Sequence, residues 1–265
     1  MSEAGVAAVK ALVVDVNALL DRLTPADWAA DSACHGWRVH DVVTHMGFFF
    51  NFIADPELVL PENPSGTSER LNDAAVRERA DWSSQQAIDY YREQSTAGLA
   101  TLAALQGVDV RDTALTMLDL GTYRLGQLSD AVAFDHLVHL TCDLLMPFGP
   151  LPATAVSLSE AIDPAIDWMI AGLPQMNGDA VARALTRPVG LRLAGATERS
   201  FVLSRDTATS SVLVTETDDL PGDFAVTSAT DFLRWATTRS GWRSTVTTSG
   251  NHTLIAAVLD AIDIV

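Results

Sequence analysis

Asp135 and His139 are the residues of this sequence best placed to do chemistry. They stand four positions apart in a segment, 124–146, whose apolar residues recur with helical spacing. A projection at about 100° per residue places both in the middle of the apolar stripe, which should face the interior of a helical bundle. An ionised carboxylate buried there would be costly unless a partner neutralised it.

A metal ion bound by both side chains is one way to neutralise that carboxylate. Side chains four residues apart share a helical face, so Asp135 and His139 can reach one ion, as pairs of His on helices do. His45 borders the apolar stripe of another predicted helix and would complete a set of two His and one carboxylate, with positions left for water or substrate. The sequence therefore predicts a metal site made of His45, Asp135 and His139.

A structural role is the alternative for the same residues. A buried Asp and His can satisfy each other and nearby Tyr or Trp donors without any ion. His136 is expected beside the site or in solvent, and His40 on the wet face of its helix. Cys142 is expected to be an inert buried thiol, with thiolate ligation as the less favoured option. Trp37 is expected to be a packing anchor, and a role in the wall of a substrate pocket stays open.

Four long helices in the first 175 residues would position this site. They are indicated by apolar spacing and by the Ser83–Gln86 capping box at residues 9–23, 39–53, 83–102 and 124–146. Helices of this length joined in sequence favour a bundle. Residues 55–72 contain three Pro and one Gly and are expected to form a long loop.

A change of period after residue 178 indicates a second domain. A connecting helix begins at Ser157, and residues 173–178 break its pattern. Short runs of β-branched and apolar residues then alternate with turn residues, which is typical of strands. They lie at 189–193, 200–204, 211–216, 224–227 and 244–248, with helices after Ser228 and Asn251. The predicted fold class is α+β, with an N-terminal four-helix bundle over 1–175 and a small α+β domain over 179–265.

The composition argues against several function classes. The chain has 265 residues, with 17 Lys and Arg against 34 Asp and Glu, a net charge of −17. This charge disfavours nucleic acid and anionic membrane surfaces as partners. Two Cys are too few for a disulfide framework, and the sequence contains neither a signal peptide nor a membrane-spanning apolar run. We expect a cytoplasmic protein, a monomer or homodimer that acts on small molecules.

Several segments resemble those of one known family. They are LTPADW at 23–28, CHGWRVHDVVTHM at 34–46, FDHLVH at 134–139 and SATDFLRW at 228–235. Together they resemble the mycothiol-dependent maleylpyruvate isomerase family. Its N-terminal domain is a DinB-like metal-binding helical bundle, and its C-terminal domain is related to sterol-carrier-like folds.

The resemblance implies a cofactor, a cosubstrate and a reaction class. It implies a divalent metal, usually zinc, held by His45, Asp135 and His139, and mycothiol or a similar low-molecular-weight thiol of the kind used in actinobacteria. A thiol coordinated to a metal loses its proton and becomes a nucleophile at neutral pH. The implied enzyme is a metal-dependent thiol transferase or isomerase acting on an electrophilic substrate. Arg239 and Arg234 are the expected catalytic residues, because an Arg suits the binding of a substrate carboxylate.

Two departures from the family pattern keep alternatives open. Asp135 stands where the family more often has Glu, which shortens the ligand arm by one methylene, and His35 stands where Pro is frequent. If the helix were rotated, His136 would supplement or replace Asp135. The alternative function is a non-catalytic metal- or small-molecule-binding or regulatory protein on the same fold. A zinc hydrolase is less favoured, since only His136 offers a general base.

Overall fold

The protein is described by a computed structural model over residues 3–264. Its chain divides into two compact units, Met1–Ala165 and Ile166–Val265, and the division falls inside a helix, Leu158–Met176. The assignment of residues 1–175 and 179–265 to separate functional domains stays a prediction. Within residues 3–264, no helix combines the length and apolar character needed to cross a membrane.

The first unit is mainly helical. Its helices are α1 Glu3–Leu20, α2 Pro25–Ala29, α3 Val39–Ala54, α4 Ser68–Glu78, α5 Ser84–Ala104 and α6 Leu128–Val138. The helix α6 continues into a π-helical segment, His139–Leu144, and α7, Leu158–Met176, passes into the second unit. The long helices α1, α5, α3 and α6 contact one another in a closed ring, as a four-helix bundle requires.

The apolar stripes found in the sequence form the interior of this bundle. On α1, Val9, Leu12 and Val16 are fully buried at three- and four-residue steps. The helix α5 begins where predicted, because the hydroxyl of Ser83 accepts the backbone N–H of Gln86 and completes a capping box. These two signals, burial of one face and a capped start, explain why the long helices follow from the sequence.

The expected loop at 55–72 is wrong over its last five residues, where α4 begins. Two apolar residues of α4, Leu71 and Ala75, are buried in a cluster with Phe48 of α3. A hairpin also precedes α6, formed by β1 Ala114–Met117 and β2 Gly121–Arg124, so the fourth long helix begins later than predicted.

His40 was expected in solvent, but it is buried. It is only 5% exposed, because the short helix α2 covers that face of α3 and places the Trp28 ring centroid 6.1 Å from that of His40. The short helix α2 was not foreseen, although Thr24 and Asp27 form a capping box at its start.

The second unit is a sheet with helices. Its elements after α7 are α8 Gly178–Ala184, β3 Val189–Ala194, β4 Arg199–Arg205, β5 Val212–Glu216, β6 Phe224–Ser228, α9 Ala229–Ala236, β7 Thr247–Ser249 and α10 His252–Leu259. The strand order is β5-β4-β3-β6-β7, and only the β3–β6 pair is parallel among these pairs. The predicted fold class, α+β, is confirmed. The last strand lies later than the expected 244–248, because Trp242–Ser244 form a 3-10 turn.

Candidate metal centre

Three side chains from α3, α6 and the π-helical segment meet inside the first unit. His45, Asp135 and His139 each offer a ligand atom, and these atoms lie within 4.8 Å of one another. Nε2 of His45 lies 3.0 Å from Oδ1 of Asp135, and Nε2 of His139 lies 3.5 Å from the same oxygen. The residues singled out in the sequence therefore do lie together, while metal ligation by them stays a prediction.

The two His of the cluster are buried and the side chain of Asp135 is 12% exposed, and burial competes with charge pairing among them. Burial alone would raise the pKa of Asp135, but His45 and His139 outweigh it and hold that pKa well below its ordinary value. Burial also opposes charge on His139, yet the carboxylates of Asp135 and Asp143 raise its pKa to about 9. Burial lowers the pKa of His45. Charge pairing with the two His rings thus favours the ionised carboxylate of Asp135, while burial disfavours a proton on His45.

The donor set fits a divalent cation. Nδ1 of His45 is buried without a hydrogen-bond partner, and Oδ2 of Asp135 has only a long contact of 3.3 Å with Nδ1 of His136, so the cluster is not fully satisfied by protein groups. Two imidazoles and one carboxylate make up the three protein ligands of many catalytic zinc sites, which keep a further position open. Asp is shorter than the Glu of the related pattern, but its Oδ1 still reaches both His rings.

Trp37 forms an aromatic wall of the cluster. Its ring centroid lies 5.0 Å from that of His45 and 6.3 Å from that of His139, and the second pair is stacked with an interplanar angle of 26°. Trp37 thus packs, as expected, and the rings it packs against are those of two candidate ligands. The sequence had left this wall role open.

His136 lies on the far side of Asp135 and is completely buried. Its Nδ1 lies 3.1 Å from the carbonyl oxygen of Val132 and 3.3 Å from Oδ2 of Asp135. Its ring centroid is 4.9 Å from that of Phe50. His136 was expected beside the site or in solvent, and the second of these positions is wrong, because Phe50 of α3 and Tyr91 of α5 cover it.

Asp143 was not among the residues singled out in the sequence. This carboxylate is fully buried, and its Oδ2 lies 2.8 Å from Nδ1 of His139. The signal was available, since Asp135, His139 and Asp143 repeat at four-residue steps and place a carboxylate on either side of one imidazole.

The remaining predicted residues have the following positions. Arg234 lies on α9 and Arg239 just after it, both half-buried in the second unit, and the backbone N–H of Arg239 donates to the carbonyl oxygen of Arg234 at 2.9 Å. Their catalytic role stays a prediction. Cys142 is 3% exposed, as expected for a buried thiol, while Cys34 is half-buried.

Fold and site define an α+β protein whose helical bundle carries a His–Asp–His cluster suited to a divalent metal. A family model described as the mycothiol maleylpyruvate isomerase N-terminal domain matches residues 9–141, a range that contains all three residues of the cluster. The chain therefore belongs to this family.

Solved structures with the same fold carry a related description. The mycothiol-dependent maleylpyruvate isomerase and a histidine-to-alanine mutant of it each superpose with a TM-score of 0.57 at 11% sequence identity, covering 93% of this chain and 92% of theirs. At this identity the likeness shows a common fold. No curated protein matches the chain by sequence.

Proposed function

We propose that this protein is a metal-dependent enzyme that activates a low-molecular-weight thiol, mycothiol or a close analogue, for addition to an electrophilic substrate. His45, Asp135 and His139 would hold the ion, which we propose to be zinc. The observation that carries the proposal is the meeting of their three ligand atoms within 4.8 Å in the bundle interior. Membership of the mycothiol maleylpyruvate isomerase family supports the choice of thiol.

The chemistry follows from the donor set. A divalent ion held there would act as a Lewis acid and keep a coordinated thiol deprotonated at neutral pH. Asp135 offsets part of the charge of the ion, and Trp37 excludes water from one side of the two His rings. Such a thiolate would add through its sulfur to an electrophilic alkene carbon, and the alkene electron pair would move into the adjacent carbonyl group.

Two outcomes are open to such an adduct. If the former double bond rotates and the electron pair returns, the C–S bond breaks, the thiol is released and the reaction is an isomerisation. If the adduct takes up a proton and leaves, the reaction is a thiol transfer. Arg239 and Arg234 are our proposed carboxylate-binding residues for either reaction, since a guanidinium binds a carboxylate through two parallel hydrogen bonds. Their replacement by Ala should raise KM for an anionic electrophile and leave metal content unchanged.

Metal analysis tests the first step of the proposal. Elemental analysis of the purified protein should find about one divalent ion per chain, and the His45→Ala/His139→Ala double variant should contain almost none. His252→Ala is the matched control, because this exposed His lies on α10 of the second unit. Equal and negligible metal in the native protein and the double variant would contradict the proposal.

Turnover tests the second step. The metal-loaded protein should consume mycothiol in the presence of maleylpyruvate or another electrophile with a conjugated double bond, and the double variant should not. Activity should disappear after chelation and return with metal.

A non-catalytic binding protein is the second candidate, and one observation favours it. Asp135 and His45 already approach each other at 3.0 Å, so the cluster can close on itself as a structural polar pair. Bound metal without thiol consumption across an electrophile panel would support this candidate.

A further inference from the structure

We infer that Asp143 is a positioning residue, which orients His139 so that its Nε2 faces the metal site. The inference rests on the proposed metal site. The carboxylate of Asp143 does not itself face the ion, because it contacts Nδ1, on the edge of the His139 ring away from the proposed site.

The geometry of the pair supports this role. Oδ2 of Asp143 lies 2.8 Å from Nδ1 of His139, which donates the hydrogen bond, while Nε2 of the same ring lies 3.5 Å from Oδ1 of Asp135. The imidazole thus lies between two carboxylates. With Nδ1 used as a donor, Nε2 is the nitrogen left to bind a cation.

The backbone around Asp143 is held from two directions. Its carbonyl oxygen accepts the N–H of Ala33 at 3.0 Å, which ties it to the loop that carries Trp37. Gly149 passes so close that a Cβ there would lie 2.5 Å from that carbonyl oxygen. The π-helical segment His139–Leu144 contains the pair, and such segments are frequent at functional sites. These contacts hold the backbone of Asp143, and the hydrogen bond with Nδ1 of His139 orients its carboxylate.

The two candidate His ligands differ in this support. Nδ1 of His45 is buried without a hydrogen-bond partner, whereas Nδ1 of His139 is bound to a buried carboxylate. Carboxylates that hydrogen-bond the second nitrogen of a ligating His fix its ring orientation and raise its basicity, and their loss weakens metal binding. We therefore expect the orientation of His139 to depend on Asp143.

Metal affinity is the direct test. Zinc dissociation constants, measured by competition with a chelator, should rise about tenfold to a hundredfold in Asp143→Ala. Asp143→Asn keeps a neutral acceptor of the same shape. Its zinc affinity should therefore lie between those of the native protein and the Ala variant. The matched control is Asp41→Asn, which alters another buried carboxylate, one that contacts Arg38 and His40. It should bind zinc as the native protein does.

A spectrum separates orientation from general loss of stability. With Co²⁺ in place of zinc, the visible absorption bands should shift in Asp143→Ala and keep their positions in Asp41→Asn. If the native protein binds neither ion, the proposed function fails. If the native protein binds both and Asp143→Ala has the same affinity and bands, the positioning role is overturned while the proposed function stands. Should the Ala variant fail to fold, native-like binding by Asp143→Asn would overturn the inference.

Discussion

The indole N–H of Trp37 donates a hydrogen bond to Oδ1 of Asp73, 3.1 Å away. This bond joins the loop before α3 to α4 and holds the indole ring beside His45 and His139. A helix that carries none of the candidate ligands therefore helps to build one wall of the candidate metal site.

The position of Trp37 predicts how tryptophan fluorescence responds to metal. Binding of Co²⁺ should quench the fluorescence of the native protein, because a coloured ion accepts excitation energy from a nearby indole. Trp37→Phe should remove a large part of this quenching. Trp82→Phe is the control, since Trp82 packs against Tyr90 and Arg79. Equal quenching in the native protein and Trp37→Phe would show that Trp37 does not lie beside the ion.

Asp41 predicts a pH dependence of stability. Burial would raise the pKa of this carboxyl, but hydrogen bonds from His40 and Arg38 outweigh it and hold the pKa well below its ordinary value of 3.8. A group with a lowered folded-state pKa stabilises the protein above that ordinary value, and this stabilisation is lost as the pH falls below it.

The test compares Asp41→Asn with the native protein, both free of metal. At pH 7 the variant should lose about 1–3 kcal/mol in the free energy of unfolding, because charge-assisted hydrogen bonds are lost. This difference should shrink below about pH 4. There Asp41 of the unsubstituted protein takes up a proton when the chain unfolds, which favours the unfolded state. Urea titrations at pH 7 and pH 3 measure it. Glu93→Gln, an exposed substitution on α5, is the control, and a pH-independent difference for Asp41→Asn would contradict the argument.

Gly98 predicts a steric limit between α3 and α5. A Cβ at this position would lie 2.4 Å from Cδ1 of Phe50, whose ring is fully buried against His136. Gly98→Ala should gain about 1 kcal/mol of helix propensity but lose about 2–3 kcal/mol to overpacking, since an approach of 2.4 Å puts the loss at the upper end of its usual range, so the net effect is destabilising by about 1–2 kcal/mol. Gly178→Ala, in α8 with open space around it, should cost nothing. Thermal unfolding of both variants compares them, and an increase in Tm for Gly98→Ala would refute the limit.

The long helices and the His45–Asp135–His139 cluster could be predicted because both follow from the 3.6-residue period of apolar residues in a helix. A buried stripe that runs along α6 to the start of the π-helical segment places Asp135 and His139 in the interior, and burial of a carboxylate requires a partner. The partner from α3, His45, follows from the same projection. These inferences needed only the sequence, since each uses contacts within one helix and the direction of its apolar face.

Features that depend on packing between elements were not predictable in the same way. The apolar face of α4 is only a few residues wide, and the helix follows a Pro-containing segment, so its burial against Phe48 decides its formation. His40 is buried only because α2 covers it. The four-residue step from His139 points to Asp143, but both lie in a π-helical segment, where a projection with a constant period of 3.6 residues does not fix which side chains face each other.

Arg79 is a buried cation enclosed by aromatic rings. It follows α4, is 9% exposed, and its guanidinium carbon lies 5.2 Å from the ring centroid of Phe48, 5.4 Å from that of Trp82 and 5.0 Å from that of Tyr90. Its Nη1 donates to the carbonyl oxygen of Ala75 at 2.6 Å. One side chain thus connects the end of α4 to α3 and α5.

Replacement of Arg79 should therefore destabilise the helical unit much more than replacement of its exposed neighbour Arg77. Each cation–π contact of this kind contributes about 0.5–2 kcal/mol, and the aliphatic stem adds packing, so Arg79→Ala should lose about 2–4 kcal/mol in the free energy of unfolding. Arg79→Lys should lose less of this free energy than Arg79→Ala, because it keeps the charge. It should still lose some, because it lacks the planar group that stacks on the rings. Arg77→Ala should change stability by less than about 0.5 kcal/mol, since this side chain is 72% exposed and lies 3.6 Å from Asp73 in a solvated ion pair. Urea unfolding of the three variants measures the differences. Equal losses at positions 77 and 79 would mean that neither the enclosing rings nor the hydrogen bond to Ala75 adds to the stability of the protein.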